Sequence, residues 1–320
     1  MPTHTSFRGV SDWGESLLSD QLEANLVSFF SWASLGAGGF FDVRIPSSGA
    51  YGGDMHRLRR AEDPNYDAGQ VWEAFRKDWV WESGVENPRQ PIRVSGVYVG
   101  GTFHPATGVG PYAHTVDYPH GRVVFASGLP ANSVVTCEYS YRGCQWVPGD
   151  SPWWREVQTN SLRVDDGQFL SYGSGAWSTL SQSRVQLPAV VVEATPNARR
   201  HGTALGGGNT VTQEVQFHVL AETPYERKFL HDLVAYQWQK RLVAYDRNLV
   251  FALNRFPLDE NGSPSPSGLM YPSLIKPSGE GGCGWERHIR FVEVQSTQPP
   301  RSSAPLYTAV VRGLFEVDLP

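Results

Sequence analysis

The chain predicts two joined units: an N-terminal helix with a small β-sandwich or barrel over residues 1–150, then an α+β domain over 151–320. The clearest sign is the stretch from Leu187 to Lys240, where the apolar run LPAVVVEA and the alternating run TVTQEVQFHVLAE flank a glycine-rich segment and lead into a helix. A second sign is the series of short β-type runs between residues 92 and 142, separated by Gly and Pro turns. The third is composition: 33 Gly and 23 Pro together exceed the about 12% of ordinary usage, and charged residues are only 18%.

Between Glu15 and Trp32 the apolar residues Leu18, Leu22, Leu26, Phe29 and Phe30 recur at three- and four-residue spacing, the pattern of an amphipathic helix that Gly36, Gly38 and Gly39 end. FFDVRI, from Phe40 to Ile45, reads as a short strand stopped by Pro46. Arg57, Arg59 and Arg60 stand beside Glu62 and Asp63, which reads as a mutually paired, solvated cluster, with an anion site as the alternative. QVWEAFRKDWVWES fits a helix or a strand, and its Trp and Val content favours the strand. Ile92 to Val99 is a strand turning at Gly100-Gly101, and Val116 to Tyr118 can pair with Arg122 to Phe125 across a Pro-His-Gly turn. SVVTCEYSYR alternates as a further strand. The Pro-bearing stretch from Trp146 to Val157 is the expected boundary, and its tryptophans are expected to stiffen it.

In the second half, Val190 to Val192 read as a strand buried on both faces. Val211, Val215, Phe217 and Val219 alternate with Thr212, Glu214, Gln216 and His218, the mark of a half-buried strand. Thr223-Pro224-Tyr225-Glu226 has the form of a capping box and predicts a helix from there to about Arg241. Asn248 to Asn254 is a short strand or a helix end, and DENGSPSPSG is a loop. Arg287 to Gln295 and Tyr307 to Val317 are the last strands, the second with Ala309, Val311, Phe315 and Val317 facing one way. The order gives a mainly antiparallel sheet with a helix across it.

The net charge of −5 and a pI near 6.0 argue against general attraction to a phosphate backbone. The N-terminus lacks the pattern of a secretion signal, no run reaches the ~18 apolar residues of a membrane span, and synthesis in a cytoplasm is the expectation. Cys137, Cys144 and Cys283 form no CxxC pair, so neither a disulfide framework nor a metal site is expected. No cofactor motif is present, and no nucleophile at suitable spacing accompanies His218, which reads as an ordinary polar-face histidine rather than a catalytic base. HGTALGGGN lacks the GK[ST] of a phosphate loop. Arg199, Arg200, His201, Leu205, Gly206, Gly207 and Gly208 instead read as a low-bulk loop that touches a neighbouring chain, with a free tip as the alternative. Trp146, Trp153 and Trp154 are the other interface candidates, with a carbohydrate-stacking platform as the sharper reading.

The series LPAVVVEA, HGTALGGG, VQFHVLAET and LHDLVAYQ, preceded by IRVSGVYVGGTFHPATG and HTVDYPHGRVVFA, resembles structural proteins of tailed bacteriophages that form the neck or finish the tail. The likeness spans about residues 90 to 260, and the extra β-rich half departs from small tail terminators. The resemblance implies a non-enzymatic virion subunit made in the host cytoplasm. It implies a homo-oligomeric ring, often of six, that contacts other neck, tail-tube or sheath proteins. DNA would be only a strand passing through the channel, and no membrane would be involved. A carbohydrate-binding or carbohydrate-active β-sandwich protein, or a baseplate or fibre adaptor, is the alternative.

Overall fold

The computed structural model describes residues 18–35, 42–45, 54–82, 93–151, 154, 186–195, 198–202, 209–297 and 307–319. It is a mixed α+β architecture with an N-terminal helix and two curled sheets.

The first helix, α1 (Leu18–Ala33), buries Leu22, Leu26, Phe29 and Phe30, the stripe that the spacing predicts. The first sheet is built from β2 (Arg57–Arg60), β3 (Val71–Glu73), β4 (Gly96–Val99), β5 (Thr102–Pro105), β6 (His114–Asp117), β7 (Arg122–Phe125) and β8 (Val135–Cys137). Its order is β5-β4-β8-β2-β3-β7-β6, antiparallel throughout. The expected sandwich or barrel is therefore a single curled sheet around one core, with Leu58, Trp72, Val97, Val123, Phe125 and Val135 on its inner side. The two predicted hairpins form: β4–β5 turns at Gly100-Gly101, and β6–β7 places Val116 opposite Val123.

The segment expected as one strand from Val71 to Trp81 stops at Glu73. Trp79 returns only as an isolated bridge to Tyr141, and its ring stacks on Tyr139 at 4.4 Å. Asp78, with φ of 52°, makes the bend that a straight strand could not accommodate.

The second sheet takes β10 (Gln145–Pro148), β11 (Ala189–Ala194), β12 (Arg199–Gly202), β13 (Asn209–Ala221), β14 (Arg241–Tyr245), β15 (Gly284–Thr297) and β16 (Tyr307–Leu319). The order is β10-β11-β13-β16-β15-β14, with β12 added on β13; β10–β11 is parallel and the other pairs are antiparallel. As the alternation predicts, Val211, Val215, Phe217 and Val219 are buried, and Ala309, Val311, Phe315 and Val317 meet them from β16. Ala189 to Val192 are buried on both faces.

The capping box forms at the start of α2 (Pro224–Ala235): the Thr223 hydroxyl accepts from the Glu226 amide, and the Glu226 carboxylate accepts from the Thr223 amide. This helix ends six residues before the expected Arg241. Gln239 adopts φ of 62° and its amide donates to the Phe291 carbonyl, so pairing with β15 stops the helix and starts β14. Asn248 to Asn254 falls on a short helix, α3 (Arg247–Ala252), capped by Asp246. A last short helix, α4 (Tyr271–Leu274), covers Phe29 edge-on through Tyr271.

Helix α1 packs not on the first sheet but in the hollow of the second. Phe30 stacks on Trp146 at 4.5 Å and meets Phe217 edge-on. At the opposite edge, the Asn25 carboxamide accepts from the Tyr245 amide and donates to the Tyr245 carbonyl. One turn earlier, Gln21 donates to Asp246 and accepts from the Arg247 amide. The sheet thus wraps the helix from β10 to β14. Each fully buried Leu or Phe contributes about 1.5–3 kcal/mol, and the carboxamides fix the helix's position along the sheet.

Two connections bind the halves. The first is the chain itself: β8 runs through β9 (Tyr139–Arg142) into β10, and β9 pairs with β1 (Asp42–Ile45) on the way. The second is the DENGSPSPSG loop, in which Asp259 Oδ1 accepts from the amides of Asn261 and Ser263. It lies on the first sheet, where the Ser263 hydroxyl donates to Val116 and the Gly262 carbonyl accepts from Tyr118. Gly262 is required there, since its φ is 72° and a Cβ would stand 2.3 Å from an Asp117 oxygen.

Candidate functional site

β12 and β13 pair from Arg199↔Thr212 to Gly202↔Asn209. Leu205, Gly206, Gly207 and Gly208, between these strands in the sequence, lie outside the described residues. Arg199 and His201 are exposed on β12, and the backbone of Arg200 sits between them. The stretch read as loop from Arg199 to Gly202 is thus an edge strand, while on its other side β13 pairs with β16 out to Asn209↔Leu319 and β16 pairs with β15, so this end belongs to the body of the second sheet. Thirteen residues at ~3.4 Å each make β13 roughly 44 Å long. The three basic residues share one strand, as the sequence places them at the base of the loop.

The connector tryptophans are placed differently from one another. Trp146 is buried between α1 and the second sheet, and Trp154 is buried on the opposite face of that sheet against Ala189, Val191 and Leu220. Both indoles are core, which withdraws them as sugar platforms and as contact surfaces. Trp153 lies outside the described residues. The stiffening expected of the connector is carried by Trp146, through its stack on Phe30.

Three clusters of ionisable groups are built into the molecule. On the outer face of the second sheet, His218 Nε2 lies 2.9 Å from Glu193 Oε2, and Trp154 covers the imidazole at 4.8 Å. Burial holds the His218 pKa below its usual value, although Glu193 opposes the shift. A neutral imidazole oriented by a carboxylate could act as a base. Among the described residues, however, no hydroxyl or thiol is hydrogen-bonded to it, so the pair serves as an oriented polar-face contact.

At the junction of the halves, Arg142 is buried with two carboxylates: Nε is 3.4 Å from Asp78, and Nη2 pairs with Glu82. Its Nη1 donates to the Ser31 carbonyl of α1 at 2.9 Å. Burial, together with Glu82, pushes the Asp78 pKa up to about 6 despite the guanidinium. On the first sheet, Arg122 is held between Asp63 at 2.8 Å and Asp117 at 2.7 Å. Burial would raise both acids, but the Asn65 amide with Arg122 holds Asp63 below its usual value, and His120 with Arg122 does so for Asp117. Sequence order concealed this pairing because Arg122 is 59 residues from Asp63.

A small open pocket of about 270 Å³ is lined by His104, Pro105, Gly108, Val109, Pro111 and Tyr112, below the ~300 Å³ at which drug-sized sites begin. The three cysteines are free and buried. Among the described residues no group of three His, Cys, Asp or Glu could hold a metal ion, and no helix is long and apolar enough to cross a membrane. No protein-family model matches the chain, and no curated protein proves similar to it.

Proposed function

We propose that the chain is a non-enzymatic structural subunit of a tailed-bacteriophage particle, one that forms a ring at the neck or tail end and joins the head connector to the tail. The observation that supports this reading most is the long β13–β16 ladder of the second sheet, with Arg199 and His201 exposed on the strand added at its end. A subunit in a closed ring needs a stiff body and surfaces that meet its neighbours. The buried Arg142 cluster and the continuous path from β8 to β10 supply the stiff body.

Six copies would suit the terminator-like reading, with other neck, tail-tube or sheath proteins above and below. An overall charge of −5 per copy would line a channel that passes DNA without holding it. Electron microscopy of the purified full chain tests the ring: annular particles with a central opening are expected. Monomers at every concentration, checked by light scattering, would overturn it. The glycine-rich segment is tested separately by replacing Thr203–Gly208 with Asn-Gly, a two-residue connection that keeps the Gly202–Asn209 pair. The shortened protein should melt like the parent and lose annular particles. Annuli of unchanged yield would remove the segment from the contact.

A further inference from the structure

The arginines expected to pair with Glu62 and Asp63 do not do so. Asp63 turns to Arg122, and among the described residues no carboxylate lies within ion-pair distance of Arg57 or Arg59, both exposed. The acid directly opposite Arg59 is Glu73, whose carboxylate is 3.9 Å from Arg122 instead.

These guanidiniums share a surface with aromatic rings. Residues directly opposed in an antiparallel ladder lie on one face. Arg57 opposes Thr136, Thr136 opposes Tyr98, and Tyr98 opposes Phe103. This row crosses four strands, about 14 Å at ~4.8 Å per step. Phe103 is 42% exposed with its ring 5.1 Å from that of Tyr98, and Val134, two residues before Thr136, is 46% exposed. The other half of the outer face, over β3 and β7, is covered by the turn that carries Asp63 and Tyr66, with Arg122 5.6 Å from the Tyr66 ring. The uncovered half thus presents arginine and aromatic side chains, the types enriched at protein interfaces.

The same chain carries a complementary surface. Glu23 of α1 accepts from the Ala194 amide at the end of β11, where the Gly149 amide donates to Val192, so Asp20 in the first turn of the helix and Asp150 after β10 flank this point, and both are exposed. Among the described residues their one ion pair is Arg247 with Asp20, at 4.0 Å. Among the described residues no ion pair joins the two surfaces within one chain.

We infer that the outer face of the first sheet, through Arg57, Arg59, Tyr98 and Phe103, docks on the surface of a second copy that carries Asp20 and Asp150. Each copy offers one surface of each kind, so the contact is head-to-tail and propagates from copy to copy until it closes. The inference rests on the ring reading above and assigns its charged contact.

The test uses two full-length variants, Arg57→Glu with Arg59→Glu, and Asp20→Lys with Asp150→Lys, each first shown by thermal melting to stay folded. Each alone should weaken self-association on the order of 100-fold in sedimentation velocity. Mixed in equal amounts, they should assemble again, because every interface in an alternating ring is then complementary. Asp150→Lys alone, in a turn outside the sheets and helices, should weaken association by about tenfold. Wild-type-like assembly of both double variants, or loss that mixing does not repair, would overturn the contact while leaving the ring intact. A wild-type chain that never associates would remove the ring and the contact together.

Discussion

Asn25 shows how a single polar side chain can position an element. It is 2% exposed on a helix face that it shares with Gln21 and four large apolar residues, and it completes the hydrogen bonds of the Tyr245 backbone at the end of an edge strand. Replacing it with Leu would leave a buried amide and carbonyl without partners, each costing about 1–3 kcal/mol. Asn25→Leu should therefore lose about 3 kcal/mol in urea denaturation, more than Leu18→Ala at the helix's partly buried start. The sequence displayed Leu22, Leu26, Phe29 and Phe30 as a stripe but gave no sign of Asn25 or Gln21, because a carboxamide's partner is 220 residues away and has no local pattern.

Glu23 offers a residue-scale test in pH. Burial, with Asp150 and Asp20 nearby, raises its pKa from 4.5 to about 7. The folded state then holds the proton more tightly than the unfolded chain. Below about pH 4.5 this group carries no penalty; between there and pH 7 stability falls because the unfolded chain loses the proton while the folded protein keeps it, and above pH 7, where both have ionised, the loss is constant. Glu23→Gln, which still accepts from the Ala194 amide, should be more stable than the parent at pH 8 and indistinguishable near pH 4. Equal melting differences at both pH values would place the effect elsewhere.

At the scale of elements, strands and helices were legible where their own side chains decide them. The β13 alternation and the α2 capping box are local, and both stand at the predicted residues. Thr223→Ala should cost about 1 kcal/mol by removing the cap, read as a lower melting temperature. Where elements are decided by distant partners, the sequence misled: α2 ends early because β15 captures Gln239, and Val71–Trp81 breaks because Asp78 bends toward Arg142. The DENGSPSPSG stretch reads locally as a loop and carries no sign of its partner, yet its turn fits against Asp117. Gly262→Ala combines a left-handed backbone with a clash, so a loss of about 2 kcal/mol is expected in denaturant melts.

At the scale of the whole molecule, the candidate interface was legible only in outline. β13 follows from its alternation, whereas Arg199–Gly202 becomes a strand only by pairing with it; the burial of Trp146 follows from a helix more than a hundred residues earlier in the sequence, and that of Trp154 from packing on the opposite face of the second sheet. Because α1 and β10 fill the core of the second sheet, a fragment of residues 151–320 would expose Phe217, Val190 and Val192. That fragment should show no cooperative melt, while the full chain should unfold with one transition by fluorescence and circular dichroism. A stable, cooperative fragment would show that the second sheet closes without the helix.

The stretch from Val135 to Pro148 has a mechanical consequence. Within fourteen residues it is laddered in turn to the first sheet, to β1 and to the second sheet. A pull applied to one sheet therefore enters the other along this continuous stretch, and it loads the flanking hydrogen bonds in shear instead of opening a joint. A subunit built this way would hand on displacement nearly undiminished, as a rod does, so that movement imposed at one face of an assembly would arrive at the opposite face.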